Sequence, residues 1–336
     1  MGKSVAIIGA GSWGTALAIV AARGDHDVRI WSRNIEVVRS INSDRVNPVY
    51  LTDVAIPNNV RADGEIAEVV NGADLIVLAA PSHATRGLLT TMAPALQKEM
   101  IVVSATKGIE IETGKRISQV VAEVIPEEAR ARFVCLSGPS FAKEVVEHHP
   151  TAVVAASKDL EAGRIVQSEL SFDNLRIYTN DDVIGTEFGG SVKNVMAIAA
   201  GMVAGLGFGS NSIAALITRG LAEMSRLALR QGAKRETLMG LAGLGDLVLT
   251  CTGSLSRNRF LGQELGKGRT LNEITSGMNE IAEGVRTTQA VKQLADRVGI
   301  EMPITNEVHG VLYEGKLASD AANNLMMRPL REEGNQ

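Results

Sequence analysis

The stretch from Ser4 to Gly24, SVAIIGAGSWGTALAIVAARG, decides the expected fold of the N-terminal half of the chain. It begins with a β-branched apolar run, passes through a glycine turn and continues into an Ala-rich segment of helical character. Gly9, Gly11 and Gly14 have the spacing G-x-G-x-x-G directly after the predicted strand. In that context they permit, in order, a tight turn, a close approach of the backbone to a pyrophosphate, and close helix–strand packing. The stretch therefore predicts a βαβ unit that binds a dinucleotide.

The next predicted strand, Val28–Trp31, bears on which dinucleotide is bound. Sites that prefer NAD usually place an Asp or Glu at the end of this strand, where it holds the ribose 2′-hydroxyl. Here the strand is followed by Ser32 and Arg33, and a guanidinium group suits a 2′-phosphate. The nearest acids are Asp27, before the strand, and Glu36, a turn beyond it. We therefore expect NADP(H) to be preferred, with NAD(H) possible if Arg33 is simply solvated.

Further apolar runs predict a mainly parallel sheet that is buried on both faces. The predicted strands are Leu75–Ala79, Ile101–Ser104, Phe133–Leu136, Ala152–Ala156 and Leu175–Tyr178. Ligands of open parallel sheets bind at the carboxyl ends of the strands, so Lys107 is placed to meet an anion. After the Phe133 strand, Gly138 and Pro139 predict a turn, and Ser140 is the expected cap of the helix that follows.

Strand signals fade after Asp182, and the remainder of the chain is helical in character. A length of 336 residues is also long for one compact core. We therefore expect two domains: a dinucleotide-binding α/β domain of the Rossmann type over residues 1–188, and an all-helical substrate-binding domain over residues 189–336.

One cation, Lys193, is expected at the head of a helix of small and apolar residues in the second domain. The run that follows it, Val195–Phe208, is shorter than the ~20 residues of a membrane crossing. On this stretch alone, a lysine that extends to the surface is the simpler interpretation. Farther along, Gly243 and Gly245 predict a turn that presents Asp246.

A second polar cluster, Ser256-Arg257-Asn258, is rich in hydrogen-bond donors and suits a phosphate group, although in isolation an exposed basic helix start is the simpler interpretation. The net charge of −4 and an aromatic content of 3% argue against a nucleic-acid partner. Cys135 and Cys251 are not spaced as metal ligands, and we expect free thiols in a cytoplasmic protein with neither a metal nor a signal peptide.

Taken together, these stretches resemble the bacterial-type NAD(P)-dependent glycerol-3-phosphate dehydrogenase family. The resemblance is carried by GAGSWGTALA (9–18), APS (80–82), SATKGIE (104–110), SGPSFAKEV (137–145), GGSVKNVMAIAAG (189–201), GLGDLVLTCTGSLSRN (243–258) and AEGV (282–285). It implies reduction of dihydroxyacetone phosphate to sn-glycerol 3-phosphate by NAD(P)H, as a step toward glycerophospholipids. It also implies a Rossmann-type N-terminal domain, an all-α C-terminal domain and a homodimer. Because the apolar run after Lys193 is short, we expect no insertion in a membrane.

The resemblance assigns site residues by position. Lys193 matches the family's proton donor in the reduction and proton acceptor in the oxidation. The positions implied to contact substrate are Lys107, Gly138, Ser140, Lys193, Asp246, Ser256, Arg257 and Asn258. The positions implied to contact the cofactor are Ser12, Trp13, Arg33, Lys107, Ala142, Arg257, Ile281 and Glu283, together with the glycines of the loop, Gly9, Gly11 and Gly14.

The chemistry of the residues agrees with this assignment. Hydride addition to a ketone builds negative charge on its oxygen, which needs a positioned cation and a proton, and a lysine can supply both. Two alternatives stay open at this point. A 3-hydroxyacid dehydrogenase of related architecture would not need a phosphate-binding cluster, and a non-catalytic dinucleotide sensor would not need Lys193 and Asp246 to converge.

Overall fold

The computed structural model describes residues 2–127, 132–276, 282–330 and 332. The chain divides into two compact units, one of Met1–Lys107 with Arg116–Thr186 and the other of Gly108–Lys115 with Glu187–Gln336. All strands of the described residues lie in the first unit, and the region after them is helical. The expected fold class, a mainly parallel Rossmann-type sheet followed by an all-α region, is confirmed.

The first unit is built on an eight-stranded sheet with the order β3-β2-β1-β4-β5-β6-β7-β8. Neighbouring strands are parallel except β6 and β7, which are antiparallel. The strands are β1 (Ser4–Ile8), β2 (Asp27–Trp31), β3 (Val60–Asp63), β4 (Leu75–Leu78), β5 (Ile101–Ser104), β6 (Arg132–Ser137), β7 (Thr151–Ala156) and β8 (Leu175–Asn180).

Strand β3 was missing from the sequence prediction, and its position in the sheet explains why. It is an edge strand of only four residues, VRAD, in which Val60 and Ala62 are buried while Arg61 and Asp63 are exposed. Two apolar residues in a run of four are too weak a periodic signal to separate a strand from a loop. The strand that begins at Leu75 is consequently the fourth in the chain.

Two apolar cores cover the two faces of this sheet, since successive side chains of a strand point to opposite faces. Val5 and Ile7 belong to the first core, whereas Ala6 and Ile8 belong to the second. The helices of this unit are α1 (Ser12–Arg23), α2 (Ile35–Ser43), α3 (Ile66–Val70), α4 (Ser82–Met92), α5 (Ile117–Val124), α6 (Ala142–Val146) and α7 (Leu160–Leu170).

The remaining helices begin with α8 (Val183–Gly205), which is long and largely buried. They continue with α9 (Ser210–Arg230), α10 (Arg235–Met239), a π-helical turn (Leu241–Gly245), α11 (Asp246–Thr252), α12 (Arg257–Gly266), α13 (Leu271–Thr275), α14 (Glu283–Val298), α15 (Pro303–Tyr313) and α16 (Ala318–Met326). Helix α8 starts ten residues before Lys193, so this lysine lies near its middle and not at its head as expected. Among the described residues no helix has both the length and the hydropathy to cross a membrane.

Candidate active site

The glycine loop between β1 and α1 has the geometry of a phosphate cradle. Gly9 has a φ of +118°, which a residue with a side chain rarely adopts. A Cβ on Gly14 would lie 1.8 Å from the carbonyl oxygen of Gly9, so only glycine permits this packing of helix on strand. At Gly11 nothing lies within 4 Å of the Cβ position, which leaves the backbone open to an approaching group.

The N-terminus of α1 has the features of an anion-binding helix end. Gly11 is its N-cap and provides no side-chain hydrogen bond, and the first turn contains no acidic residue. Backbone N–H groups at such a terminus lack partners within the helix and attract phosphate. Ser12 and Trp13 lie in this turn, and the indole N–H of Trp13 is buried without a hydrogen-bond partner in the described chain. These observations fit a bound dinucleotide.

Arg33 follows the carboxyl end of β2, and the glycine loop follows the carboxyl end of β1. These two strand ends are adjacent, because β1 and β2 are parallel neighbours in which Ile8 is paired with Trp31. Arg33 is exposed directly after the strand. Neither of the two acids near Arg33 in sequence takes the place of an acid at the end of β2. Asp27 begins β2, at the opposite end of the strand, and the Glu36 carboxylate is 3.0 Å from a guanidinium nitrogen of Arg39.

Three of the residues predicted to contact substrate meet at the ends of β5 and β6. Lys107 Nζ donates to the carbonyl oxygen of Gly138 at 3.0 Å, and Ser140 Oγ donates to the same oxygen at 3.0 Å. Ser140 therefore does not cap the next helix, which was the expectation. Helix α6 begins at Ala142 with Phe141 as its N-cap.

Gly138 shapes this turn through its backbone. Its φ is +142°, and a Cβ there would lie 2.9 Å from the Cα of Val153. The last residues of β5 and β6, Ser104 and Ser137, have buried hydroxyls with no partner among the described residues. The sequence prediction had not singled out these two hydroxyls.

In the second unit, Lys193 is buried together with an acid and a hydroxyl. Its side chain forms an ion pair with the carboxylate of Asp246, and Nζ donates to Thr250 Oγ1 at 2.9 Å. Thr250 Oγ1 in turn donates to the main-chain oxygen of Asp246 at 2.7 Å. Lys193 and Asp246 are only 6% and 1% exposed, so Lys193 does not extend into solvent. A buried ammonium needs such partners because desolvation of an isolated charge is costly.

Glycine contacts bring Asp246 to Lys193. A Cβ on Gly189, four residues before Lys193, would lie 2.2 Å from the carbonyl oxygen of Ala242, in the π-helical turn. A Cβ on Gly243 would lie 2.0 Å from the carbonyl oxygen of Leu238. Helix α8 and the turn before α11 can therefore approach at backbone distance, which places the first residue of α11 against Lys193.

The polar cluster at the start of α12 is joined to α8 and α14 by one side chain. Asn258 Nδ2 donates to Asn194 Oδ1 at 3.0 Å, and Asn258 Oδ1 accepts the backbone N–H of Gly284 at 2.9 Å. Ser256 is buried as the N-cap of α12, where Oγ accepts the N–H of Arg259 at 3.2 Å. The remaining predicted positions differ: Arg257 is exposed, Glu283 is the half-buried first residue of α14, and Ile281 lies outside the described residues.

Comparison with known proteins gives the family of this chain. The family descriptions "NAD-dependent glycerol-3-phosphate dehydrogenase N-terminus" and "C-terminus" match residues 4–163 and 182–323. The chain belongs to the NAD(P)-dependent glycerol-3-phosphate dehydrogenase family. It is therefore an oxidoreductase, and the alternatives of a 3-hydroxyacid dehydrogenase and a dinucleotide sensor are set aside.

Similarity within this family extends along almost the whole chain. A glycerol-3-phosphate dehydrogenase of Koribacter versatilis is 52% identical over 98% of this chain and 98% of its own length. A relative from Geobacter sulfurreducens is 48% identical over 99% of both chains. The crystal structure of the Coxiella burnetii glycerol-3-phosphate dehydrogenase, 41% identical, superposes with a TM-score of 0.93 over 97% of this chain and 99% of that one.

Besides Ser104 and Ser137, sequence reasoning missed two further residues of the site. Thr250 bonds Lys193, and Asn194 bonds Asn258. A signal for Thr250 was present, since it lies four residues after Asp246 and residues at that spacing share a helix face. Asn194 had no comparable signal beyond following Lys193, because its partner is 64 residues away in sequence.

Neither the two cysteines nor a metal cluster among the described residues offers a competing chemistry. Burial raises the pKa of the Cys251 thiol to about 12, so the nucleophilic thiolate is scarcely populated at neutral pH. Neither cysteine forms a disulfide. Across the described ranges, no group of three or more His, Cys, Asp or Glu side chains is arranged to hold a metal ion.

Proposed function

We propose that this chain catalyses the reversible reduction of dihydroxyacetone phosphate to sn-glycerol 3-phosphate with NAD(P)H, and that Lys193 donates the proton. The observation that carries this proposal is the buried contact of Lys193 with Asp246 and Thr250. A buried ammonium is an unusual feature, and family membership explains what it would do.

The proposed role of Lys193 follows from where charge develops in the reaction. The cofactor, when bound, supplies a hydride to the C2 carbonyl carbon. The carbonyl oxygen then becomes negative, and a preorganised ammonium stabilises that charge and delivers a proton to it. Asp246 and Thr250 fix the position of Nζ, so that little reorganisation is needed when the charge forms. In the oxidation direction, neutral Lys193 accepts the proton from the substrate hydroxyl.

The phosphate of the substrate is assigned to the start of α12. Arg257 and Asn258 are its first two residues, whose backbone N–H groups have no acceptor within the helix. An N-terminus of this kind attracts phosphate, and the exposed guanidinium of Arg257 adds a full positive charge. Because both ends of the Asn258 amide are bonded inside the protein, we assign substrate contact to its backbone N–H.

The residues of the first unit complete the proposal. Ser12, Trp13 and the glycine loop would hold the pyrophosphate, and Arg33 would hold a 2′-phosphate. The family positions add Lys107, Gly138, Ser140 and Ala142, of which Lys107 and Ser140 both donate to the carbonyl oxygen of Gly138. Outside the first unit, Glu283 and Ile281 are further proposed cofactor contacts.

A Lys193→Ala variant tests the central role. NADPH oxidation would be followed by absorbance with dihydroxyacetone phosphate as substrate, and NADPH binding would be measured separately by fluorescence. We expect a loss of kcat of at least about 10³-fold with NADPH affinity retained, because a positioned proton donor and cation both disappear. Turnover at the wild-type rate would remove Lys193 from the mechanism. Dihydroxyacetone without phosphate serves as the control, and equal turnover of both ketones would contradict the phosphate assignment.

Arg33→Ala tests the proposed preference for NADP(H). We expect kcat/KM with NADPH to fall at least about tenfold and kcat/KM with NADH to change little, because only the 2′-phosphate loses a charged partner. Arg39→Ala is the matched control, since it removes another exposed arginine that pairs with Glu36. Equal losses with both cofactors would show that Arg33 does not read the 2′-phosphate.

The family resemblance also leads us to propose a homodimer that acts in glycerophospholipid synthesis. Light scattering after gel filtration would measure the mass in solution, and a monomer at micromolar concentration would contradict the first part. Restored growth of a cell that lacks its own glycerol-3-phosphate supply would support the second.

A further inference from the structure

A fully buried asparagine holds the glycine loop from the side of the connection between α2 and β3. Asn47 has no exposed surface. Its amide nitrogen donates to the carbonyl oxygen of Ala10 at 2.9 Å and to Thr15 Oγ1 at 2.9 Å. Its amide oxygen accepts the backbone N–H groups of Val49 and Tyr50 at 3.1 and 3.0 Å. The side chain therefore uses both of its donors and both acceptor positions.

The contact with Ala10 controls a specific peptide group. Ala10 stands between Gly9 and Gly11, the first two glycines of the loop. In a planar trans peptide the C=O and the next N–H point in opposite directions. When Asn47 holds the Ala10 carbonyl on the inside, the N–H of Gly11 is turned away from Asn47. At Gly11 nothing lies within 4 Å of the Cβ position, so a ligand can approach the backbone there.

The contact with Thr15 adds a second constraint. The N–H of Thr15 donates to the carbonyl oxygen of Gly11 at 2.9 Å, as part of the first turn of α1. One amide group of Asn47 thus bonds the loop before the helix and the first turn of the helix. Glycine residues give the peptides of this loop unusual rotational freedom, and a hydrogen bond from outside the loop restricts that freedom.

We propose that Asn47 is a positioning residue for the dinucleotide. It sets the orientation of the Ala10–Gly11 peptide and thereby preorganises the N–H groups that receive the pyrophosphate. The proposal rests on the proposed dinucleotide site of the first unit. It concerns affinity for the cofactor and not the chemical step, because the four hydrogen bonds of the Asn47 side chain go to the glycine loop, to the first turn of α1 and to its own connection.

Asn47→Ala is the direct test. It removes the donor that bonds the Ala10 carbonyl, so the loop loses conformational entropy when the ligand binds and orders it. We expect the Kd for NADPH, measured by fluorescence titration, to rise at least about tenfold. The kcat at saturating NADPH and the KM for dihydroxyacetone phosphate should stay within about twofold of the wild type. A Kd within about twofold of the wild type in the folded variant would overturn the proposal.

Asn59→Ala is the matched control. Asn59 lies in the same connection, and its amide also donates to two backbone carbonyls, those of Ala22 and His26, but away from the glycine loop. We expect a loss of stability without a change in the Kd for NADPH. An equal rise of Kd in this variant would overturn the specific role of Asn47, because general loosening of the connection would then suffice.

Thr15→Val keeps the test decisive if Asn47→Ala does not fold. It removes one acceptor of Asn47 with little change of shape, so a rise of Kd by about two- to fivefold is expected. An unchanged Kd would again overturn the proposal. Failure of the wild-type protein to bind NADPH or NADH would instead refute the dinucleotide site itself, which separates the two hypotheses.

Discussion

Replacement of Gly262 by alanine is expected to separate α8 from α12 and slow the reaction. A Cβ on Gly262 would lie 2.0 Å from the carbonyl oxygen of Ile198 and 3.0 Å from the Cα of Gly201. The reciprocal contact is as tight, since a Cβ on Gly201 would lie 2.1 Å from the carbonyl oxygen of Arg259. Contacts below 3.0 Å are essentially never observed for a Cβ, so the helices must move apart by about 1 Å.

That displacement has two measurable consequences. Overpacking of this kind costs about 1–3 kcal/mol of the free energy of unfolding, which urea denaturation would measure. It also moves the first turn of α12, with Arg257 and Asn258, relative to Lys193 and Asn194 on α8. A misplacement of about 1 Å in a catalytic arrangement can cost up to about 10²-fold in rate, and we expect kcat/KM for dihydroxyacetone phosphate to fall by ~10- to 100-fold.

Gly87→Ala is the control for a glycine-to-alanine change as such. Gly87 lies within α4, and nothing lies within 4 Å of its Cβ position. Alanine in a helix interior is favoured over glycine by about 1 kcal/mol, so this variant should gain stability and retain its activity. If Gly262→Ala were as active as the wild type, the close spacing of α8 and α12 would not be what sets the geometry of the site.

Three further outcomes are expected. Thr250→Val removes a hydroxyl bonded to Lys193 and should lower kcat by about tenfold; full activity in this variant, or no recovery in Thr250→Ser, would contradict that role. Glu223→Gln should lower the free energy of unfolding by about 1–3 kcal/mol without affecting kcat, because an amide nitrogen cannot accept the backbone N–H groups that begin α15. A hydrogen bond from Arg132 lowers the pKa of Asp159 to about 2, so the stability that wild type gains over Asp159→Asn should be full above about pH 4 and vanish as the pH falls toward 2. A difference in Tm that does not change between pH 6 and pH 2 would contradict this last assignment.

The parts of the fold that were predictable are those with local signals. The run Val5–Ile8 and the glycine loop after it predict a buried strand, a turn and a helix within twenty residues. Strand β3 was missed because only two of its four residues are apolar and buried, while Arg61 and Asp63 are exposed. Such a short alternating pattern does not distinguish a strand from a loop. Helix α8 was expected to start near Lys193, but it starts at Val183. The segment before the lysine is packed closely as well, since a Cβ on Gly189 would lie 2.2 Å from the carbonyl oxygen of Ala242.

The site was predictable where chemistry and chain order coincide, and not where a contact depends on distant pairing. Lys193 and Asp246 were expected to meet, and they do. The expected cap by Ser140 was wrong because its hydroxyl bonds Gly138, a choice that depends on the local backbone turn. Asn47 gave no signal at all, since an asparagine in a long connection reads as a turn residue until its partners, Ala10 and Thr15, are known.

The small residues of α8 explain how a lysine comes to be buried in its middle. Gly189, Lys193, Ala197, Gly201 and Gly205 follow each other at intervals of four, which is one of the rows along which helices pack. Lys193 is the one large side chain of this row, and the glycines around it sit at backbone distance from two other segments.

The partner helix α12 contributes a matching row. Its residues at the same interval are Asn258, Gly262 and Gly266, and the last two lie against Gly201 and Gly205. Asn258 lies one turn before Gly262 and is bonded to Asn194, the residue after Lys193. The glycines therefore do more than allow close packing. They fix the axial register of the two helices, and the register decides that the polar end of α12 is placed near the lysine and not one turn away from it.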